Sequence, residues 1–159
     1  MIKKISILGS TGSIGKQTLS VIAKNKEKFN VYSLAGGKNI DLLLNQVFKF
    51  KPKIISVLNK DDAIRLQKNP LLRKVKILSG DSGLKQIGQS KESNILVSAT
   101  SGVSSLIPTL EFLKLGKRVC VASKEIFLLL GNKITALANQ YSGEVIPIDS
   151  EHSGLFQLI

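Results

Sequence analysis

The sequence predicts an α/β fold, a doubly wound and mainly parallel sheet with helices on both faces. Two observations carry this expectation. Short runs rich in Ile, Val and Leu alternate with helix-period segments along the whole chain, and alternating strand and helix builds parallel sheets through right-handed crossovers. The apolar runs are also nearly continuous rather than alternating with polar residues, as strands buried on both faces require.

Taken in order, the expected strands are Lys4–Leu8, Val31–Ala35, Ile54–Val57, Val75–Leu78, Ile95–Ser98, Arg118–Ala122 and Glu144–Ile148. Between them, helix-period stretches cover Ile14–Asn25, Ile40–Phe50, Asp61–Gln67, Leu84–Gly88, Ser105–Leu115 and Lys124–Tyr141. The last reads as one long helix, because Phe127, Leu130, Ile134, Leu137, Ala138 and Tyr141 recur at helical spacing on one face.

Composition narrows the function classes. The 159 residues are 43% hydrophobic and 21% charged, near the globular average. One cysteine, Cys120, excludes a disulfide framework and a Cys-based zinc site. A Ser-His-Asp triad would have to use the single histidine, His152. No apolar run approaches the ~18–20 residues that span a bilayer. The first residues read as core strand rather than leader, so a cytoplasmic setting and no membrane partner are expected.

The net charge of +12 is unevenly placed. Residues 1–110 carry 18 Lys or Arg against 6 acids, and residues 111–159 carry 5 of each. A nucleic-acid face is one reading of such asymmetry. Yet 20 of the 23 basic residues are scattered lysines, and only eight aromatics are available for stacking on bases. Solvated helix faces account for the lysines, and no nucleic-acid partner is expected.

The first strand runs straight into Gly9-Ser10-Thr11-Gly12-Ser13-Ile14-Gly15 and a helix. In this spacing the first glycine makes a tight turn, the middle one admits a pyrophosphate, and the third lets helix pack on strand. Helix-start N–H groups and the helix dipole then hold phosphate. A Rossmann-like dinucleotide site is therefore expected. The second strand selects the dinucleotide. It ends in Gly36-Gly37-Lys38-Asn39, with no acid before Asp41 to accept from a ribose 2′-hydroxyl. Lys38 would attract a 2′-phosphate, so NADPH is expected rather than NADH.

Two more loops fall at carboxyl ends of expected strands, the edge where α/β ligands bind. In Ala122-Ser123-Lys124-Glu125, Lys124 could pair with a substrate anion. In Ile148-Asp149-Ser150-Glu151-His152, Asp149 and Glu151 share a face if extended, two hard oxygen ligands suited to Mg²⁺ or Mn²⁺. A turn in water is the competing reading of that pair, and Ser150 can cap a helix or bind a hydroxyl. His152 reads more readily as a packed neighbour than as a ligand.

With these residues assembled, the sequence resembles the 1-deoxy-D-xylulose 5-phosphate reductoisomerase family. The resemblance rests on Ile7 to Gly15, Ala35-Gly36-Gly37-Lys38-Asn39, Ala122-Ser123-Lys124-Glu125, and Pro147 to His152 followed by Phe156-Gln157. It implies an NADPH- and divalent-metal-dependent reductoisomerase that makes 2-C-methyl-D-erythritol 4-phosphate for isoprenoid synthesis. By the same resemblance, Thr11, Gly12, Ser13, Ile14, Gly37, Lys38, Asn39, Ser123 and Glu125 would contact NADPH. Lys124, Ser150 and Glu151 would bind the phosphorylated sugar, with Lys124 and Glu151 at the chemistry. Asp149 and Glu151 would hold the metal, and the full-length enzyme would be a homodimer.

Ser123 departs from the family, which usually has Asn-Lys-Glu here, and so do Ser153-Gly154 beyond His152. The family enzyme is also well over twice as long. The expectation is thus an NADPH-binding domain over residues 1–148, with 149–159 as the truncated start of the catalytic, metal-binding domain, and no turnover by this chain alone. Competing dehydrogenase readings are weaker. Neither Tyr32 nor Tyr141 is followed four residues on by the lysine of a short-chain dyad. A semialdehyde dehydrogenase needs a nucleophilic cysteine, and Cys120 reads as core. A non-catalytic NADP-binding sensor has no need of the Asp149-Ser150-Glu151-His152 group.

Overall fold

The computed structural model describes residues 1–149. Seven strands form one sheet: β1 (Lys3–Leu8), β2 (Phe29–Ala35), β3 (Ile54–Val57), β4 (Lys76–Ser79), β5 (Ile95–Ser98), β6 (Arg118–Val121) and β7 (Glu144–Pro147). Their spatial order is β4-β3-β2-β1-β5-β6-β7, and every neighbouring pair is parallel. The chain winds outward from β1 to β4, then returns to the other side of β1 and winds outward again. That reversal opens a crevice at the carboxyl ends of β1 and β5.

Helices α1 (Ser13–Lys24), α2 (Ile40–Phe50) and α3 (Lys60–Gln67) connect the first half. Leu19 and Ile22 of α1 and Leu43 and Val47 of α2 bury against Ile5, Ile7, Val31 and Leu34 in one apolar layer. Helices α4 (Gly80–Gly88), α5 (Leu106–Leu113), α6 (Lys124–Leu130) and α7 (Asn132–Gln140) serve the second half. Ile87, Phe112, Ile126, Ile134 and Ala138 bury against Leu8, Leu96, Val119 and Val121 on the opposite layer. Each fully buried Ile, Leu or Phe contributes about 1.5–3 kcal/mol, so the sheet is held from both sides. The α/β expectation holds. Among the described residues, no helix is long and apolar enough to cross a membrane.

Polar side chains also enter the sheet. Ser6 and Ser33 are partners in the β1–β2 register, and the Ser33 hydroxyl donates to Ser6 Oγ at 2.7 Å. Ser6 in turn bonds to the Ser93 hydroxyl, so the three buried serines satisfy one another.

The largest departure from expectation lies at residues 124–141. One helix was expected, and two are present, parted at Gly131 with φ 48° and ψ −130°. An L side chain rarely adopts that conformation, so glycine ends α6 and redirects α7. The break also changes the buried face. Ile126 is fully buried, whereas Tyr141 is exposed, as are Leu128 and Leu129. A run of Leu128-Leu129-Leu130 spreads around a helix and cannot face one sheet.

Smaller differences are confined to ends. The fourth helix starts at Gly80 rather than Leu84, and a 3-10 turn at Pro70–Leu72 precedes β4. There Asn69 accepts from the Leu71 amide at 3.0 Å.

Candidate functional site

The glycine loop is shaped by backbone contact. Gly9 turns with φ 80°, and a Cβ on it would lie 2.4 Å from the Ala99 carbonyl oxygen. A Cβ on Gly15 would lie 2.2 Å from the Gly9 oxygen, so only glycine lets α1 close on β1. The loop is anchored by the Gly9 and Ser10 amides, which donate to the Ala35 oxygen at 2.9 and 2.8 Å. From α2, the Gln46 amide nitrogen donates to the Ser10 oxygen at 2.9 Å, fixing the loop from behind. Gly12 is the N-cap of α1, with no side-chain cap and no acid in the first turn. The starting N–H groups of a 12-residue helix, with its dipole, therefore meet the crevice beside a residue without a side chain. This cradle fits a pyrophosphate.

The crevice measures about 370 Å³. Its floor is Gly9, Thr11 and Gly12. One wall is Ala35 to Lys38, where β2 ends, and Gly37 has open space around its Cα. The Thr11 hydroxyl oxygen sits 3.5 Å from the Gly37 amide, a long contact across the floor. Among the described residues, Lys38 is the only lysine that lines the crevice. Asn39 lies just outside, with its Oδ1 accepting from the Leu42 amide at 2.9 Å as the N-cap of α2. Its side-chain amide nitrogen is the donor it can turn to an anionic ligand. Ser13 and Ile14 open α1 behind Gly12.

Other walls come from strand ends where no sequence motif pointed to a ligand. Val57 ends β3 and Leu58 follows it, Gly80, Asp81 and Leu84 follow β4, and Ala99 to Ser101 with Ser104 follow β5. Each lies at the carboxyl end of an expected strand, and that position was the available signal. The loop 99–105 is braced internally, the Thr100 hydroxyl donating to Ser105 Oγ at 2.7 Å.

Ser123, Lys124 and Glu125 sit where β6 meets α6, beyond the residues lining the crevice. Ser123 is buried, and its hydroxyl lies 3.0 Å from the Gly102 oxygen and 2.8 Å from Glu125 Oε2. Glu125 Oε1 accepts from the Gly102 amide at 3.2 Å. Its own backbone amide, the Ser123 hydroxyl and the Gly102 amide hold the Glu125 carboxyl below the usual carboxylate range. Lys124 is exposed in the first turn of α6.

Ile148 donates its amide to the Val121 oxygen at 2.9 Å, which brings Asp149 to the same edge as the end of β6. Asp149 is buried at 7% exposure. Ser150, Glu151 and His152 lie outside the described residues. Among the described residues, no three His, Cys, Asp or Glu gather as a metal site. Asp149 alone fits one ligand of such a site, and no step is routed through a metal. Cys120 is no nucleophile, since burial pushes its thiol up to about 11.

Known proteins share this arrangement. A family model described as 1-deoxy-D-xylulose 5-phosphate reductoisomerase matches residues 5–131. A reductoisomerase of that name from Caldanaerobacter subterraneus subsp. tengcongensis is 41% identical over 157 residues, 99% of this chain. The chain spans 41% of that relative's length. A crystal structure of a DOX-P reductoisomerase with NADPH, fosmidomycin and magnesium aligns with TM-score 0.90 and 31% identity, over 98% of this chain and 38% of that one. The Zymomonas mobilis enzyme in complex with NADPH aligns at TM-score 0.91 and 25% identity, over all of this chain and 42% of that one. The glycine cradle, the strand order and the family match agree, and the chain belongs to the 1-deoxy-D-xylulose 5-phosphate reductoisomerase family.

Proposed function

We propose that this chain provides the NADPH-binding part of a reductoisomerase converting 1-deoxy-D-xylulose 5-phosphate to 2-C-methyl-D-erythritol 4-phosphate. The observation that carries the reading is the crevice itself: a glycine cradle at an uncapped helix start, with Lys38 and no carboxylate at the end of β2. In this reading residues 1–148 are the Rossmann-like nucleotide unit, and residues 149–159 open the metal-binding catalytic part.

Thr11, Gly12, Ser13 and Ile14 bind the pyrophosphate through backbone N–H groups. Gly37 leaves room for the adenosine ribose, while Lys38 and the Asn39 amide nitrogen face its 2′-phosphate. Ser123 and Glu125 serve the nicotinamide side. Lys124 and Ser150 orient the phosphorylated sugar, Lys124 and Glu151 stand at the reacting carbons, and Asp149 with Glu151 holds magnesium or manganese. When bound, NADPH supplies the reducing equivalent and the divalent ion supplies Lewis acidity. The relatives' NADPH and magnesium complexes support both cofactors. A homodimeric full-length enzyme in the cytoplasm belongs to the same reading.

Dissociation constants of the 159-residue chain for NADPH and NADH test the proposal. NADPH is expected to bind on the order of tenfold tighter or more, since a well-placed charge pair with the 2′-phosphate is worth at least that factor. Equal affinities would overturn it.

A further inference from the structure

The loop between β5 and α5 forms the wall of the crevice opposite Lys38 through Ala99, Thr100, Ser101 and Ser104. Its apex, Gly102, has φ 69°, and no atom lies within 4 Å of where its Cβ would be. Apolar packing therefore does not hold the apex. Hydrogen bonds do. The Gly102 amide donates to Glu125 Oε1 and its carbonyl lies within bonding distance of the Ser123 hydroxyl, so one turn engages both polar groups of this peptide residue. Ser123 occupies the N-cap of α6 yet makes no cap bond; its hydroxyl is turned to Gly102 and Glu125 instead. The second oxygen of Glu125 lies 2.8 Å from the same hydroxyl, whose single proton is shared between it and the Gly102 oxygen, and this ties the two side chains into one clamp. Glu125 lies in the first turn of α6, where a carboxylate suits the helix dipole.

The geometry points to Glu125 as a positioning residue: through the Gly102 amide, and with Ser123, it holds the 99–105 loop in the shape that receives the nicotinamide half of the cofactor. This rests on the NADPH reading above. A dinucleotide lies across the point where strand order reverses, so with its adenosine at β2 the other half reaches β5. The clamp acts on that half alone. Its removal weakens whole NADPH and spares a ligand that stops at the adenosine.

The test has two arms on the 159-residue chain. Without ligand, amide exchange at Gly102 is expected to speed up in Glu125→Ala and Ser123→Ala, by about three- to tenfold for exposed hydrogen bonds of this kind. Exchange in β1 and β5 should not change. With ligand, the NADPH dissociation constant of Glu125→Ala should rise about three- to tenfold, while that for adenosine 2′,5′-bisphosphate stays within about twofold. Glu125→Gln keeps one acceptor for the Gly102 amide and should fall between wild type and Glu125→Ala.

Three results would overturn the clamp. Gly102 exchange could stay unchanged in both variants. NADPH and adenosine 2′,5′-bisphosphate could weaken equally, which marks a general structural loss. NADPH could weaken in Glu125→Ala with Ser123→Ala and Gly102 exchange unaffected, which marks direct contact between Glu125 and cofactor. If wild type binds neither nucleotide, the NADPH reading fails, and Gly102 exchange still decides whether the clamp exists.

Discussion

The two sides of the crevice are built by different means. Around β1 and β2 the site is shaped by what is missing: glycines at 9, 12 and 15 let backbone meet backbone, and a phosphate would be held by main-chain groups. Around β5 and β6 it is shaped by side chains, with Thr100 on Ser105, Ser123 on Gly102 and Glu125 on the same glycine. Contact between rigid backbones tolerates no added atom. A clamp of side-chain hydrogen bonds, partly buried and partly exposed, can loosen by degrees. The β1–β2 side should thus fail abruptly on substitution, and the β5–β6 side gradually.

Gly15→Ala is the harshest way to break that contrast. A Cβ 2.2 Å from the Gly9 oxygen must push α1 off β1, and overpacking of this kind costs about 1–3 kcal/mol or more. For a domain of this size that is roughly a 3–10 °C fall in Tm, with NADPH binding lost alongside it. Gly37→Ala, in open space on the same side, should change Tm by no more than about 1–2 °C. Thermal melts of the pair check the claim. Equal losses would mean that composition, rather than backbone contact, sets the loop.

Gln46→Ala comes next. It removes the buried bond to the Ser10 oxygen from α2, and leaving such an acceptor unpaired costs about 1–3 kcal/mol. Denaturant unfolding should report the loss, accompanied by weaker NADPH binding because the loop loses its rear support. Lys38→Ala should leave stability within about 0.5 kcal/mol, as exposed substitutions do. Its effect belongs to discrimination: the NADPH-to-NADH affinity ratio should fall about tenfold, measured by direct titration of both nucleotides.

The smallest expected effect lies on the other side and is set by pH. The Glu125 carboxyl is held below its ordinary 4.5 by its own amide, by Ser123 and by Gly102. A carboxyl lowered by folding adds stability that is full above the ordinary value and is lost as pH falls from there through the lowered value. Gly102 amide protection, corrected for intrinsic exchange, should therefore decline below about pH 4.5 in wild type and stay flat in Glu125→Gln. A decline of equal size in both would assign the change to another carboxylate.

Legibility followed sequence distance. The glycine loop could be read because its requirements are local: a strand, three glycines and a helix start lie within 13 residues of Lys3. The end of β2 was readable for the same reason, since the absence of an acid before Asp41 is a fact of adjacent residues. The helix expected over 124–141 went wrong at one residue. Periodicity registers where apolar side chains recur, and it is blind to the φ of 48° that Gly131 adopts. The walls from Val57, Gly80 and Ala99 could not be placed, because only strand order brings the ends of β3, β4 and β5 together.

By itself the sequence determined the α/β class, the glycine turn at the start of α1 and the place of Lys38 at the end of β2, because each follows from local steric needs or from neighbouring residues. Only the tertiary structure decided where Glu125 is directed. Its partner, Gly102, is 23 residues away on a different loop. Such a bond exists only once β5 and β6 lie side by side, and no spacing along the chain announces it.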